Sequence, residues 1–218
     1  EKRTPLIIAS ERGNVKTVKS LLQKEINVDH QNENGWTALY HAVIKGHVEV
    51  LEILLEANAD PNIPENGGRS PLTSATYDGY IEVMKRLLEK GVEINKQARW
   101  QGTDGWTALF TAVFYNKSGC VDLLLNANAD TNICTSQNKS ALMSACEDGY
   151  GDMVKKLLMK GADVIVRDED RQTALSKAKN RGDDAIIAML IDANKGNKEP
   201  KEDGDQDSDD RIAQLEAK

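Results

Sequence analysis

The sequence predicts an all-α repeat solenoid, in which pairs of helices stack on one another in a row. The first observation is a triplet of Thr or Ser, Pro or Ala, and Leu that occurs six times. The copies begin at Thr4, Thr37, Ser70, Thr107, Ser140 and Thr173, which are 33, 33, 37, 33 and 33 residues apart. The second observation is an alanine five residues after each start, and the third is an aliphatic pair seventeen and eighteen residues after it. A period of this length is typical of structural units that pack on copies of themselves.

Each copy predicts a first helix. Thr or Ser is a preferred N-cap residue, and the Pro or Ala that follows suits the first helical position. Nine residues after the Thr or Ser stands a residue that can adopt the left-handed conformation and end the helix. These residues are Gly13, Gly46, Gly79, Asn116, Gly149 and Gly182.

A second helix follows in each copy. In the second copy its apolar residues are Val48, Leu51, Leu54 and Leu55, which have helical spacing. A Gly or Asn is predicted to end this helix in five copies, whereas the first copy has Glu25 there. The five residues are Asn58, Gly91, Asn128, Gly161 and Asn194. The remaining segment of each copy is polar, rich in turn residues and too short for another helix.

The triplets, alanines, glycines and aliphatic pairs together resemble the ankyrin repeat, from about Thr4 to Asn194. The resemblance implies that the segment after each second helix is a β-hairpin finger at right angles to the helix pair. It also implies a repeat domain over residues 1–195, with repeats that start near the six Thr and Ser residues named above. Residues 196–218 contain almost nothing apolar, so we expect an acidic, flexible tail there.

Charge and cysteine content exclude several classes of function. Residues 196–218 hold four basic and eight acidic residues, a net −4, which leaves −3 of the total −7 for residues 1–195. No basic stripe of the kind that binds nucleic acid is present, and no apolar run is long enough for membrane insertion. The three cysteines have no metal-ligand spacing, and their odd number suits a reducing compartment. We therefore expect an intracellular, cytoplasmic or nuclear protein without a metal or cofactor.

Catalytic motifs are missing from the sequence. There is no phosphate-binding glycine loop, no nucleophile with a base at motif spacing and no histidine pair one helical turn apart. We therefore predict that the chain is not an enzyme and is monomeric by itself.

The ankyrin resemblance implies a scaffold or adaptor that binds another protein through its concave groove and finger tips. An alternative is a sensor of a small planar ligand or nucleotide, stacked between Trp36, Tyr77, Trp106 and Tyr115. A nucleotide would require cations among these rings, and the candidates are Lys45, Arg69 and Arg99. A third reading is a passive spacer, in which the aromatic residues only pack finger against finger.

The resemblance and helical periodicity together predict the binding surface. In the ankyrin family the residue before the Thr or Ser lies at the base of the finger and faces the groove. On the first helix, positions four, seven and eight after the Thr or Ser lie opposite the buried Leu and Ala. An insertion of four residues within 96–104 adds two further candidates. The predicted partner-binding residues are Trp36, His41, Lys45, Arg69, Tyr77, Asp78, Arg99, Trp100, Trp106, Phe114, Tyr115, Glu147 and Asp148.

This surface is aromatic in the second to fourth copies and acidic in the fifth. It therefore predicts a partner segment, extended or helical, with apolar anchors and a basic end. A further set consists of Asn62, Asn95 and Asn132, which occupy the same place after the second helix. In the ankyrin family this asparagine supports the finger by hydrogen bonding, and in some members it is hydroxylated. We expect the structural role here and keep modification of these asparagines as a hypothesis.

Overall fold

A computed structural model of the chain describes residues 3–100 and 103–196, and only the main chain of residues 99, 100, 103 and 196. In this part of the chain twelve α-helices form six pairs, which confirms the predicted helical repeat solenoid. The first helices are α1 (Pro5–Glu11), α3 (Ala38–Ile44), α5 (Pro71–Asp78), α7 (Ala108–Phe114), α9 (Ala141–Asp148) and α11 (Ala174–Arg181). The second helices are α2 (Val15–Leu22), α4 (Val48–Glu56), α6 (Ile81–Glu89), α8 (Ser118–Asn126), α10 (Gly151–Met159) and α12 (Asp184–Gly196). The expected flexible tail lies outside the described residues from 197 onward.

All six first helices begin at the predicted Thr or Ser. In α3 the Thr37 hydroxyl accepts a hydrogen bond from the Tyr40 main-chain N–H at 3.0 Å, and the other five copies repeat this bond. The predicted left-handed residues also have positive φ, including the one non-glycine, Asn116, with φ of 53°. Capping therefore fixes where each first helix starts and ends.

The ends of the second helices are confirmed in four copies and wrong in one. Asn58, Gly91, Asn128 and Gly161 all have positive φ, as predicted. Asn194 instead lies inside α12, which continues to Gly196. Asparagine is only mildly unfavourable in a helix, and its neighbours Ala193 and Lys195 favour one, so the helix passes through it.

The two kinds of helix form two rows, and the first helices pack on one another more extensively than the second helices do. The alanine five residues into each copy explains this, because a methyl side chain allows neighbouring helices to come close. From Ala42 to Ala178 these alanines are fully buried. We therefore expect the stack to curve towards the first helices, with their outer edge and the fingers lining a groove.

We expect that replacing Ala112 with leucine lowers the free energy of unfolding by about 1 to 3 kcal/mol, through overpacking between α7 and its neighbours. Ala112 has no exposed surface, so the larger side chain must push adjacent helices apart. Chemical denaturation of the two proteins measures the difference, with Ala127→Leu, at the half-buried end of α8, as the control. Equal stability of parent and Ala112 variant would show that the packing assignment is wrong.

The fingers are less regular than the resemblance implied. Only the third finger forms described strands, β1 (Ala98–Trp100) and β2 (Thr103–Trp106), which pair antiparallel. Each of the other four described fingers is closed by two main-chain bonds, such as those from the Asn32 N–H to the Trp36 carbonyl at 3.1 Å and from the Gly35 N–H to the Asn32 carbonyl at 2.9 Å. The four inserted residues lengthen the third finger enough for a short ladder, whereas a finger of standard length makes only a tight turn.

Side chains at the predicted asparagine positions join successive repeats. Asn62 Oδ1 accepts from the Glu93 main-chain N–H at 2.8 Å, Asn95 Oδ1 from Asp130 at 2.9 Å and Asn132 Oδ1 from Asp163 at 2.8 Å. Each bond therefore holds the finger base of one repeat to the turn that begins the next finger. We call these three bonds the asparagine clasps; the hypothesis of asparagine modification stays a prediction.

We expect Asn95→Ala to reduce the free energy of unfolding by about 1 kcal/mol, the usual net contribution of one hydrogen bond. The Asp130 N–H would lose its partner, while the exposed position of Asn95 lets water replace part of the bond. Denaturant titration measures the loss, and Asn126→Ala, at the exposed end of α8, is the matched control. A loss at Asn126 as large as that at Asn95 would contradict the clasp.

Candidate partner-binding groove

The predicted groove residues differ in their exposure. Tyr77 and Phe114 are 37% and 38% exposed, which is high for large rings. Trp106 and His41 are buried. The remaining described members are exposed or half-buried: Trp36, Lys45, Arg69, Asp78, Tyr115, Glu147 and Asp148. The side chains of Arg99 and Trp100 lie outside the described residues.

Four of the predicted aromatic residues form one contiguous group across the third and fourth repeats. The ring centroids of Trp106 and Phe114 are 4.9 Å apart, those of Phe114 and Tyr115 are 5.1 Å apart, and those of Tyr77 and Tyr115 are 4.8 Å apart. Tyr77 meets Tyr115 edge to face, a favourable aromatic geometry. We call Tyr77, Trp106, Phe114 and Tyr115 the aromatic cluster.

Trp106 supports the cluster from below instead of projecting into the groove. Only 6% of it is exposed, and its ring meets Phe110 edge on at 4.8 Å. Strand β2 ends at Trp106 immediately before α7, so the finger lays the indole on the first turns of that helix. Trp106 was predicted to face the groove and bind the partner, but at 6% exposure it offers little surface there, whereas Phe114 and Tyr77 are more exposed.

Charged side chains flank the aromatic cluster. Burial raises the pKa of the Asp78 carboxyl, and the cations of Arg69 and Lys117 oppose that shift. Both cations therefore act on the carboxylate at the end of α5. The border of the cluster carries charges of both signs, so it offers polar contacts around an apolar centre.

One of the two carboxylates in the acidic end predicted for the fifth repeat, that of Glu147, is already paired with lysines. The Glu147 carboxylate lies 2.5 Å from Lys139 Nζ and 3.9 Å from Lys177 Nζ. Arg181 also donates from Nη1 to the Glu147 main-chain oxygen at 3.2 Å. Lys139 stands eight residues before Glu147, in the preceding finger, and Lys177 stands thirty residues after it, so the periodicity of a single helix does not predict either contact. The argument for a basic end on the partner then rests on Asp148 alone.

At the other end of the groove, α1 and the first finger enclose a cavity of about 230 Å³, which we call the N-terminal cleft. Trp36 covers one side of it, with its ring centroid 5.1 Å from that of His41 in an edge-to-face contact. Arg3 and Glu11 form an ion pair on the α1 side. The lining residues are Arg3, Glu11, Asn32, Glu33, Asn34, Trp36 and His41.

The hydrogen bonds around His41 fix its tautomer. Asn32 Oδ1 accepts from the main-chain N–H groups of Asn34 and Trp36 at 2.9 and 3.0 Å, which orients its amide. Asn32 Nδ2 then faces His41 Nε2 at 3.4 Å and can only donate to it. The proton of the neutral imidazole therefore lies on Nδ1, and this buried atom has no hydrogen-bond partner among the described residues. His41 was predicted to face the open groove, but it is 3% exposed beneath Trp36.

We expect the stability of the protein to fall with acidification in a way that depends on His41. Burial lowers the pKa of its imidazole below the ordinary value of 6.5, with Glu11 acting to raise it and Arg3 and Lys45 to lower it. Below pH 6.5 this imidazole is protonated in the unfolded chain but stays neutral in the folded protein, so acid favours unfolding. The stability that the neutral imidazole contributes is complete above pH 6.5 and is lost as the pH falls through its lowered folded pKa.

Denaturant titrations of the parent and His41→Gln, between pH 7.5 and 5, measure this contribution. Glutamine keeps an acceptor for Asn32 but has no proton to gain, so the variant should lose less stability over this range. The carboxylates titrate in both proteins and cancel in the difference. Parallel stability curves for the two proteins would contradict the prediction.

Sequence reasoning missed the cleft residues Arg3, Glu11 and Asn32. A usable signal exists for Asn32, which stands five residues before its triplet and accepts from the N–H four residues on. Glu65, Thr135 and Asp168 stand at the same place and make the same bond in their own fingers. Arg3 and Glu11 have a comparable signal, because they stand one residue before and seven residues after Thr4, the same positions at which Lys139 meets Glu147 and Gln172 meets Asn180.

The described residues carry few groups suited to catalysis. Burial raises the pKa of the Cys146 thiol to about 12, and it also raises the pKa of the Cys120 and Cys134 thiols, so none is an activated nucleophile. In residues 3–100 and 103–196, no three His, Cys, Asp or Glu side chains are placed to hold a metal ion. Within the same ranges, no helix combines the length and apolarity needed to cross a membrane.

Comparison with known proteins agrees with this geometry. Residues 1–65 and 96–168 match the family model "Ankyrin repeats (3 copies)", and residues 67–99 match the model "Ankyrin repeat". The chain belongs to the ankyrin repeat family. An ankyrin repeat domain from Acinetobacter baumannii has a similar structure, with a TM-score of 0.81 and 28% identity, over 87% of this chain and 97% of that one.

A second similar structure is that of a predatory endopeptidase from Bdellovibrio bacteriovorus in complex with an immunity protein. The TM-score is 0.73 with 25% identity, over 88% of this chain and 99% of that one. The ankyrin repeat and KH domain-containing protein mask-1 of Caenorhabditis elegans is 30% identical over 95 residues, or 43% of this chain. The matched segment makes up 4% of that protein, so the similarity concerns the repeats and not the whole relative.

Proposed function

We propose that this ankyrin repeat chain is a non-catalytic interaction scaffold or adaptor, which holds an extended or helical segment of another protein in its groove. Ankyrin repeats are in general modules of protein–protein interaction, and the family is generally non-enzymatic. The observation that carries the proposal is the exposure of Tyr77 and Phe114, 37% and 38%, within the aromatic cluster. Exposed rings in a contiguous group favour a binding role over a purely structural one.

The supporting argument is energetic. A buried layer of Trp106 and Phe110 holds Phe114 in place, so the exposed ring is rigid before binding. Rigid aromatic anchors lose little conformational entropy when a partner covers them, and such residues dominate the binding energy of many interfaces. The partner therefore needs apolar side chains opposite the cluster. With Glu147 paired to Lys139, a basic end is no longer part of the proposal.

The alternative of a planar ligand or nucleotide is not favoured by the rings. Stacking requires free ring faces, but Trp36 already packs against Tyr40 and His41, and Tyr77 packs against Tyr115. The third reading, in which the rings only brace neighbouring fingers, accounts for Trp106 but leaves the exposure of Phe114 unexplained.

We further propose that the protein works inside the cell as a monomer. All three cysteines are free, and two are buried, which suits a reducing compartment. The outer row of helices is covered by ion pairs that cross between repeats, such as Lys19 with Glu49 and Lys156 with Asp122. A charged outer row of this kind gives a second copy little apolar surface to cover.

The test is capture of partners from cell extract by the intact chain and by a Tyr77→Ala, Phe114→Ala double variant. A specific partner should be lost with the double variant and kept with Tyr80→Ala. Tyr80 is a matched control because it is also 37% exposed but packs over Gly46, away from the cluster contacts. Equal capture by the double variant and the intact chain would refute the aromatic cluster as the binding site.

A further inference from the structure

The N-terminal cleft has a feature that the fold itself does not use. His41 is 3% exposed, and its Nδ1 atom is buried without a hydrogen-bond partner among the described residues. Because Asn32 donates to Nε2, the unused group is an N–H donor. A buried donor left unpaired costs about 1 to 3 kcal/mol, so a ligand that supplies an acceptor would recover free energy on binding.

The size of the cleft limits what it can hold. Its volume is about 230 Å³, below the roughly 300 to 1,000 Å³ of pockets for whole drug-sized ligands. A single amino-acid side chain fits this space, whereas a nucleotide does not. The cleft is lined by Trp36, which precedes Thr37 as Trp106 of the aromatic cluster precedes Thr107, so the two sites lie at equivalent positions of their repeats.

The charges around the cleft limit its ligand. Arg3 and Glu11 pair with each other, and the Glu33 carboxylate lines the finger side. An anionic ligand would meet this carboxylate, and a cationic side chain has no acceptor for His41 Nδ1–H. A neutral polar group avoids both costs, since it needs no counter-ion when water is removed.

We propose that the N-terminal cleft is a subsite for one asparagine or glutamine side chain of the bound protein segment, whose carboxamide oxygen accepts from His41 Nδ1–H. The NH₂ group of the carboxamide can donate to the carboxylate of Glu11 or Glu33, both of which line the cleft. This subsite rests on the proposed function, since it assigns part of the same partner. It places the polar residue at the first and second repeats and the apolar anchors at the third and fourth.

The experiment uses three probes of similar shape: the N-acetyl methylamides of glutamine, glutamate and methionine. Titration of the full chain, followed by the imidazole ¹⁵N shifts of His41, should show saturable binding of the glutamine probe. We expect about tenfold weaker binding of the other two, the equivalent of one hydrogen bond. Equal binding of the glutamate probe would show an anion site, and equal binding of the methionine probe an apolar pocket; either result, or no saturation with glutamine, overturns the proposal.

Two variants separate this proposal from the one on which it rests. His41→Leu removes the donor and should reduce affinity for the glutamine probe about tenfold, with Trp36 indole ¹⁵N shifts as the readout. Circular dichroism is used to check that this variant is folded. A second test is Asn32→Asp, which alters the tautomer of His41 without removing the histidine. Tyr77→Ala should leave probe binding unchanged. If the intact chain does not bind the glutamine probe but the Tyr77 and Phe114 double variant loses partner capture, only the subsite is refuted. If the intact chain binds the probe but the double variant still captures the partner, only the aromatic cluster is refuted.

Discussion

Truncation of Trp106 to alanine should lower the free energy of unfolding by about 3 to 5 kcal/mol, the usual loss for a large aromatic residue in a core. The ring is 6% exposed and contacts Phe110 and Phe114, so its removal leaves a cavity between the third finger and α7. Denaturant titration or thermal melting measures the loss. Had Trp106 been an exposed anchor, the same change would have weakened binding and spared stability.

Two further variants sharpen this prediction. Trp106→Phe retains a ring above Phe110 and should recover more than half of the lost stability. Trp36→Ala is the comparison at the equivalent position of the second repeat, where the indole is only half-buried, and the loss should be smaller. A Trp106→Ala protein as stable as the parent would mean that the finger does not depend on α7 for its position.

The second large effect concerns binding. Phe114→Ala should weaken binding of the captured partner by about 2 kcal/mol, or roughly thirty-fold in Kd. The reason is that a rigid exposed ring on a buried support is typical of the residues that dominate binding energy. Stability should change much less than in Trp106→Ala, since 38% of Phe114 is already in water. Calorimetric titration with the captured partner measures Kd, and Tyr80→Ala provides the control. An unchanged Kd together with a lowered melting temperature would assign Phe114 to the fold alone.

Local patterns in the sequence were sufficient for the repeat architecture. Each Thr or Ser cap accepts a hydrogen bond from the N–H three residues on, and each turn residue adopts a positive φ by itself. Both effects are local, so residues that recur with a period of 33 locate the helices. Asn194 shows the limit of such reasoning, because a residue able to end a helix does so only where its surroundings require a turn. The strands expected in the fingers of standard length are missing for a related reason. Whether a finger forms strands depends on its length, which the family resemblance does not specify.

The binding surface was predicted less completely, because exposure depends on neighbours from other repeats. Helical periodicity placed Tyr77 and Phe114 on the correct face, and both are exposed. It placed His41 there too, but the Trp36 ring from the adjacent finger covers it. The charge of Glu147 was misjudged for the same reason, since Lys177 approaches it from the next repeat. Side chains that meet across repeats share no spacing that a single sequence reveals.

Because of the asparagine clasps, the length of a finger can vary without a change in how the repeats stack. The clasps at Asn62 and Asn132 each span 31 residues, whereas the clasp at Asn95 spans 35 and has the same length within 0.1 Å. The four additional residues are therefore looped out between two fixed anchor points. A graft of foreign sequence between Trp100 and Thr103 should leave the superhelical pitch unchanged, so this ankyrin chain can present new recognition loops, on one side, without redesign of its body.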